Sequence, residues 1–416
     1  MGIIKKLTKI GYRQAKNIAK LALDKPLTTP SLGSMTLDQD DVKIAREWLK
    51  HPQDWYRHDD IIRTYHSHFA IWNGSKYAFS FMGARVALSA CIYALALQPG
   101  DEVILPGYTC VVVPNAFHYA SIKTIYSDIE LDTYGLDVTQ LEDKITPKTK
   151  AILLHHLYGL VSRDYEAIVS LAREHNLKII EDCAQSTGAE FKGQKVGNRG
   201  DLAIYSSEQS KIFNTVQGGL ATTNDNDLAI RLKEYYYHAS YPEEMRIDKQ
   251  LHTLMLNYYR FKHPQRWWRG DFADLQYGGK QLVSTTKEEE QGIKPAHYGC
   301  KMPAPIAAIG LNQLKKIDRY NECRREIAKQ WDHWCYTSGY NQPVVSAQAT
   351  PVFLRYPVLV EPEKKLNLSW ALQELEVNLG VWFVANLHPV KKDQTVTACS
   401  NANAAVRQCV NFPCLI

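Results

Sequence analysis

The sequence predicts an α/β fold, a large domain on a mainly parallel sheet followed by a smaller C-terminal α+β domain. Two observations carry that prediction. From Tyr77 to Ser206, short apolar runs alternate with amphipathic stretches of helical period, the pattern of a parallel sheet covered on both faces. At 416 residues, 45% hydrophobic and 22% charged, the chain has ordinary globular composition and length enough for two domains. The expected divisions are residues 1–33, a basic segment and linker; 34–320, the large domain with an insert at 238–298; and 321–416, the small domain.

The N-terminal segment places Ile3, Leu7, Ile10, Ile18 and Leu21 at helical spacing, with Lys5, Lys6, Lys9, Arg13, Lys16 and Lys20 between them. Residues 1–25 hold seven Lys/Arg and one Asp, net +6, against +5 for the whole chain, so the remainder is close to −1. The body is therefore not a nucleic-acid binder. A basic amphipathic helix at 3–23 suits peripheral contact with an anionic membrane, or an arm packed on the body or a second subunit; both readings stand. Lys6 breaks the myristoylation pattern after Gly2. No cleavable secretory signal is read, and Pro26–Gly33 reads as a linker. Nine cysteines, odd in number and without a CxxC pair, favour a reducing cytoplasm, and Cys183 reads as a small buried hydrophobe.

The folded elements then follow in order. A helix is predicted over Leu37–Lys50, a strand over Tyr77–Phe81, the turn Met82–Arg85 and a helix through Leu97. Its stretch Val86–Leu97 is too short and too interrupted to span a membrane, and reads as a buried helix. The strand Glu102–Leu105 follows, and Pro106–Thr109 is expected to open another helix. Strands at Thr124–Asp128, Ala151–Leu157, Lys178–Glu181 and Ala203–Ser206 surround a helix at Tyr165–Glu174. Ligands of such a sheet bind beyond the carboxyl ends of its strands, where Asp182 and the segment after Tyr205 fall.

That segment, YSSEQSKIFNTVQGG (Tyr205–Gly219), contains Lys211 in a run of few charges. A pyridoxal phosphate enzyme needs a lysine whose amine is neutral often enough to condense with an aldehyde, and a carboxylate to keep the pyridine nitrogen protonated. Desolvation weakens a lysine's preference for its charged form. Lys211 and Asp182 suit those roles; a structural salt bridge in an α/β core is the alternative. The small-residue turn before Val86 offers free N–H groups to a phosphate.

The ordered series GARVAL, PGDEVILPGYTC, HLYG, IIEDCAQSTGA, YSSEQSK and QGGLATTND resembles the sugar aminotransferases of the DegT/DnrJ/StrS family. The likeness is dense over Tyr77–Asp225 and weaker at Met302–Asp318, Leu387–His388 and the closing VNFP. It implies a fold-type I pyridoxal 5'-phosphate enzyme, a homodimer with active sites at the subunit interface. By position it implies Lys211 as the Schiff-base lysine and Asp182 as the pyridine-nitrogen partner. Gln185 then bonds the cofactor's phenolic oxygen, Ala84 and Arg85 give backbone amides to the phosphate, and Ser206 gives a hydroxyl. No metal site is expected.

Three positions depart from the family pattern. Cys110 stands where an aromatic residue commonly stacks on the cofactor, leaving Tyr108 as a substitute face. Gln217 replaces an acid, and Gly299–Met302 replaces a motif whose asparagine reaches the neighbouring subunit's phosphate. In the insert, Trp267 and Trp268 with Arg260, Lys262, Arg266 and Arg269 could stack a base, grip a pyrophosphate, meet lipid or simply pack; TTKEEEQG (Thr285–Gly292) reads as an acidic loop. The small domain is expected to hold a helix at Glu322–Ser338, a strand at Thr350–Val360 and a helix at Leu368–Leu379. His388 and Tyr158 are the candidate substrate contacts, His388 reading equally as a capping or core residue.

The resemblance implies ping-pong transfer of an amino group from glutamate or glutamine to a keto-sugar, nucleotide-linked, for cell-surface polysaccharide or a related glycoconjugate. Members that dehydrate sugars lack the lysine, so Lys211 points to amino transfer. The alternatives are a cyclitol or lipid-linked sugar as acceptor, or a non-catalytic regulatory protein that kept the fold.

Overall fold

The structure, a computed structural model, describes residue 15 and residues 17–24, 32–263, 282, 284–390, 396 and 398–415. Its centre is a seven-stranded sheet: β1 (Tyr77–Phe81), β2 (Glu102–Pro106), β3 (Lys123–Ser127), β4 (Thr149–His155), β5 (Lys178–Asp182), β6 (Leu202–Ser206) and β7 (Gly219–Thr223). Their spatial order is β1–β7–β6–β5–β4–β2–β3. The pairs from β6 to β3 are parallel, and β7 alone runs opposite, antiparallel to both β1 and β6. The central strands are near-continuous apolar runs because both faces are covered; Val103–Leu105 and Ala151–Leu154 are fully buried. The mainly parallel sheet predicted from the alternation is present. β7 was not predicted, since Gly219 and two threonines weaken its apolar signal.

Helices α1 (Gln39–Lys50), α2 (Asp59–Asn73), α3 (Ala84–Ala94), α4 (Val112–His118), α5 (Tyr165–Glu174) and α6 (Asn226–His238) connect and flank the strands. α3 buries Val86, Ala87, Leu88, Ala90, Cys91 and Ile92, as its composition implied. α2 was missed, although Ile62, Tyr65 and Phe69 recur at helical spacing on its buried side. The predicted helix after Pro106 starts later: Thr109–Cys110 first pairs in parallel with Leu387–His388, and α4 begins at Val112.

The insert supplies α7 (Glu244–Lys262), nineteen residues that bury Ile247, Leu251, Leu254 and Met255 and pack against α1. Arg46 on α1 donates to Tyr259 Oη at 2.6 Å. The acidic stretch predicted as a loop forms α8 (Lys287–Glu290), opened by a capping box between Thr286 and Glu289. Trp267, Trp268, Arg266 and Arg269 lie outside the described residues.

α9 (Ala304–Leu314) leads into α10 (Ile317–Ser338), which runs through the expected boundary at residue 321. The small domain is stitched by β8 (Arg355–Leu359) antiparallel to β9 (Cys409–Pro413), with the Trp331 indole N–H on Pro413 O at 2.8 Å. Its second predicted helix is only Ser369–Glu374, and the predicted strand at Thr350–Val360 narrows to β8. All nine cysteines are free. No helix among the described residues is long and apolar enough to cross a membrane. The membrane-contact expectation for residues 3–23 falls largely outside the described residues; at its end, the Asp24 carboxylate meets His263 Nδ1 after α7 at 2.8 Å.

Candidate active site

A cavity of about 990 Å³ opens beyond the carboxyl ends of β4, β5 and β6, and reaches the N-terminus of α3. Asp182, the last residue of β5, faces into it. Glu181, its neighbour, points to the opposite face as strand alternation requires. There Glu181 is fully buried and accepts from Tyr165 Oη (2.5 Å) and from the N–H groups of Gly197 (2.7 Å), Arg199 (2.8 Å) and Gly200 (2.5 Å). Asp182 accepts from the Ala184 N–H at 2.9 Å, its carboxylate's one hydrogen bond among the described residues. Burial therefore pushes its carboxyl above the ordinary value, while the Ala184 N–H, Lys211 and His156 pull the other way. A buried carboxylate so sparsely partnered fits a cationic N–H arriving from a ligand.

Lys211 follows β6 on the loop that returns as β7, and its amine lies 4.4 Å from the centroid of the Trp382 indole. Burial holds that amine below the ordinary lysine value; Glu208, Cys110 and Asp182 oppose the shift and Arg355 adds to it. The Gln185 side-chain oxygen accepts from the Tyr158 N–H at 3.0 Å, so its NH₂ is the end left to donate into the cavity. α3 has no side-chain N-cap, and the N–H groups of Val86 and Ala87 turn back to Gly83 O. Those of Ala84 and Arg85 are free to hold an anion at the helix's positive end, with Ser206 on the same wall. Gly219 makes this possible: a Cβ there would lie 2.3 Å from Ala84 N. A buried amine of lowered basicity, a buried carboxylate, an amide donor and an uncapped helix start thus share one cavity, and this donor set fits pyridoxal phosphate.

Two expected contacts are corrected. The Tyr108 and Tyr158 side chains are fully buried, their hydroxyls 2.9 Å apart, in a cluster with Tyr134 and Phe383. Neither lines the cavity, because the turn after β2 and the left-handed Tyr158 (φ 57°) send both rings into the core between domains. Cys110 does line it, its thiol pushed up by burial. Aromatic faces come instead from the small domain, among them Trp382 and Phe383, which sequence reasoning passed over inside VWFVANL. His388 also reaches the cavity; burial first, then Lys211 and Lys365, holds its pKa down at about 4.

The insert forms the opposite wall. Arg85 pairs its guanidinium with the buried Glu289 of α8 and donates to Ser284 O at 2.5 Å. Asn115 Nδ2 donates to Glu289 O at 2.7 Å and Tyr119 Oη to Ile293 O at 2.9 Å, fastening the segment across the cavity. On α7, Arg246 donates to Gln217 Oε1 at 3.1 Å and to His297 O at 3.0 Å. Among the described residues, His156, Glu181 and Cys183 bring possible metal-ligand atoms within 4.8 Å of one another. Both His156 nitrogens are engaged, by the Ser162 N–H and by Glu181, so the cluster is a structural knot under β5.

The model of the DegT/DnrJ/EryC1/StrS aminotransferase family matches residues 36–416. GDP-perosamine synthase of Caulobacter vibrioides is 40% identical over 324 residues, 77% of this chain and 75% of the relative. L-glutamine:2-deoxy-scyllo-inosose aminotransferase of Streptomyces kanamyceticus is 30% identical over 322 residues, 76% of this chain and 67% of the relative. The solved aminotransferase from Psychrobacter cryohalolentis shares the fold at a TM-score of 0.70 and 22% identity, covering 94% of this chain and 95% of that one.

Proposed function

The chain belongs to the DegT/DnrJ/EryC1/StrS aminotransferase family and is a pyridoxal phosphate-dependent aminotransferase; from that premise we propose that it aminates a nucleotide-linked keto-sugar. The observation that carries this reading is the meeting of Lys211, Asp182 and the uncapped start of α3 in one cavity. Bound pyridoxal phosphate supplies the electron sink for amino transfer. In this reading the chain's own groups do the rest. Asp182 holds positive charge at the ring nitrogen, Gln185 donates to the phenolic oxygen, and the Ala84 and Arg85 amides with Ser206 fix the phosphate. Lys211 Nζ takes a proton from the α-carbon of the amino donor, glutamate or glutamine, and in the second half-reaction gives one to the sugar carbon that receives nitrogen. The depressed basicity of Lys211 keeps a fraction of the amine free to act as that base. The neutral His388 edges the sugar site.

The same reading places the enzyme in the cytoplasm, supported by nine free cysteines, as a homodimer serving cell-surface polysaccharide or related glycoconjugates. The large, partly apolar cavity suits a nucleotide sugar better than a free cyclitol. The test is a panel of GDP-, dTDP- and UDP-linked keto-sugars with glutamate or glutamine, read by mass spectrometry for the amino-sugar. Turnover of a cyclitol ketone alone, with every nucleotide sugar untouched, would replace this substrate class.

A further inference from the structure

We propose that Arg246, carried by the inserted helix α7, supplies from within the same subunit the positive charge that faces the phosphate of pyridoxal phosphate. A phosphate monoester brings a charge of about −2 near neutral pH. The start of α3 offers only about half a positive charge to meet it. Arg85, whose amide belongs to that cradle, has its guanidinium committed to Glu289 and Ser284 O. The Lys211 amine lies over Trp382 and is reserved for the aldehyde end. Arg246 lines the same cavity, yet both its hydrogen-bond partners, Gln217 Oε1 and His297 O, are neutral. Among the described residues no carboxylate forms an ion pair with it. Burial first, then the nearby charge of Arg85, holds that guanidinium below the ordinary arginine value while Cys300 and Glu289 oppose the shift; the group stays a cation, half-buried without a carboxylate paired to it among those residues.

Position selects the phosphate over other anions. Gln217, which holds Arg246, precedes Gly218 and Gly219, and Gly219 packs directly on Ala84 at the start of α3. Arg246 is thereby tied to the anion cradle rather than to the Lys211 end. Neutrality at position 217 matters for the same reason. A carboxylate there would pair with Arg246 and cancel the charge, whereas glutamine orients the guanidinium and leaves it available.

The test reads cofactor release with no sugar or amino donor present, so its outcome is independent of the substrate assigned above. Holoenzyme is diluted into cofactor-free buffer and loss of the visible cofactor band is followed. Arg246→Gln is expected to speed release about tenfold, as loss of a charge-assisted contact predicts, and Arg246→Lys by less. Gln217→Glu leaves the arginine in place and guards against a folding artefact; it should speed release similarly, but add nothing in the Arg246→Gln background. Release at the parental rate from Arg246→Gln overturns the proposal, and so does an unchanged rate accompanied by a raised KM for donor or sugar. An effect of Gln217→Glu that is the same with and without Arg246 overturns it equally.

Discussion

The Lys211 amine rests 4.4 Å from the centroid of the Trp382 ring, a contact that joins the chemistry of the large domain to an aromatic face of the small one. A cation held over an indole gains about 0.5–2 kcal/mol, so the ring positions the amine as well as shielding it. Trp382→Leu is expected to lower kcat roughly tenfold, with Trp382→Phe recovering most of it. Equal kcat in the leucine and phenylalanine variants would assign the ring to packing alone.

Lys211→Ala should abolish amino transfer, by a factor of at least about 10³, because the proton-transfer group is gone. The fold should survive, since Lys211 lines the cavity on a loop and is no part of the apolar core. Circular dichroism and single-turnover assays check both halves. Turnover near the parental rate would remove Lys211 from the chemistry.

Asp182→Asn keeps the shape of the carboxylate but not its charge. The loss should fall on kcat rather than KM, by roughly 10²-fold or more, because the charge is needed during reaction rather than for substrate binding. A variant with raised KM and normal kcat contradicts that role.

Burial holds His66 at about 3, and His155 and His388 at about 4, against about 6.5 in an unfolded chain. Between those values the unfolded state binds more protons, so stability rises with pH there. Each histidine's contribution is complete above about pH 6.5 and is lost as pH falls toward its folded value, about 3 for His66 and about 4 for His155 and His388, at roughly 1.4 kcal/mol per pH unit. Urea unfolding of His388→Gln should show a stability slope between pH 6 and 5 shallower than the parent by about that amount. Identical slopes would mean that His388 titrates normally in the folded protein.

Glu289→Ala strips Arg85 of its buried partner, and breaking a pair of this kind costs about 3–5 kcal/mol. The cost should appear first as opening of the segment from Ser284 to Tyr298 rather than as global unfolding. Hydrogen exchange by mass spectrometry reads it: amides of that segment should lose protection while those of β4 and β5 keep theirs. Unchanged protection would show that Asn115 and Tyr119 suffice to hold the segment.

The parts legible in the sequence are those set by neighbours in the chain. Strand Tyr77–Phe81 and helix Tyr165–Glu174 were read to the residue, because apolar period and turn residues are local signals. Asp182, Gln185, Ser206, Lys211 and the start of α3 meet in one cavity because each follows a strand end or opens a helix, which fixes its side of the sheet. What escaped depends on distant partners. Glu289 sits in a run that reads as an acidic loop, yet Arg85, about two hundred residues earlier, draws it into a buried pair. The rings of Tyr108 and Tyr158 were assigned by proximity to motif residues, but packing across the domain junction turned them away. Trp382 carried no motif at all, and only the packing of the C-terminal segment on the large sheet's cavity brings it to Lys211.

The two adjacent carboxylates of β5 also constrain how this gene can change. Substitution among the apolar residues of Lys178–Ile180 alters packing by degrees. Deletion or insertion of a single residue would slide the strand by one position and exchange the faces of Glu181 and Asp182. The cavity would then receive the side chain meant for four ready-made donors, and those donors would be left around one cut to fit elsewhere. The start of the strand is pinned against such a slide, with Lys178 Nζ and the Ile179 N–H both held by Asp201 at 2.7 and 2.8 Å. Lineages of this chain can therefore drift in sequence along β5 while its length stays frozen.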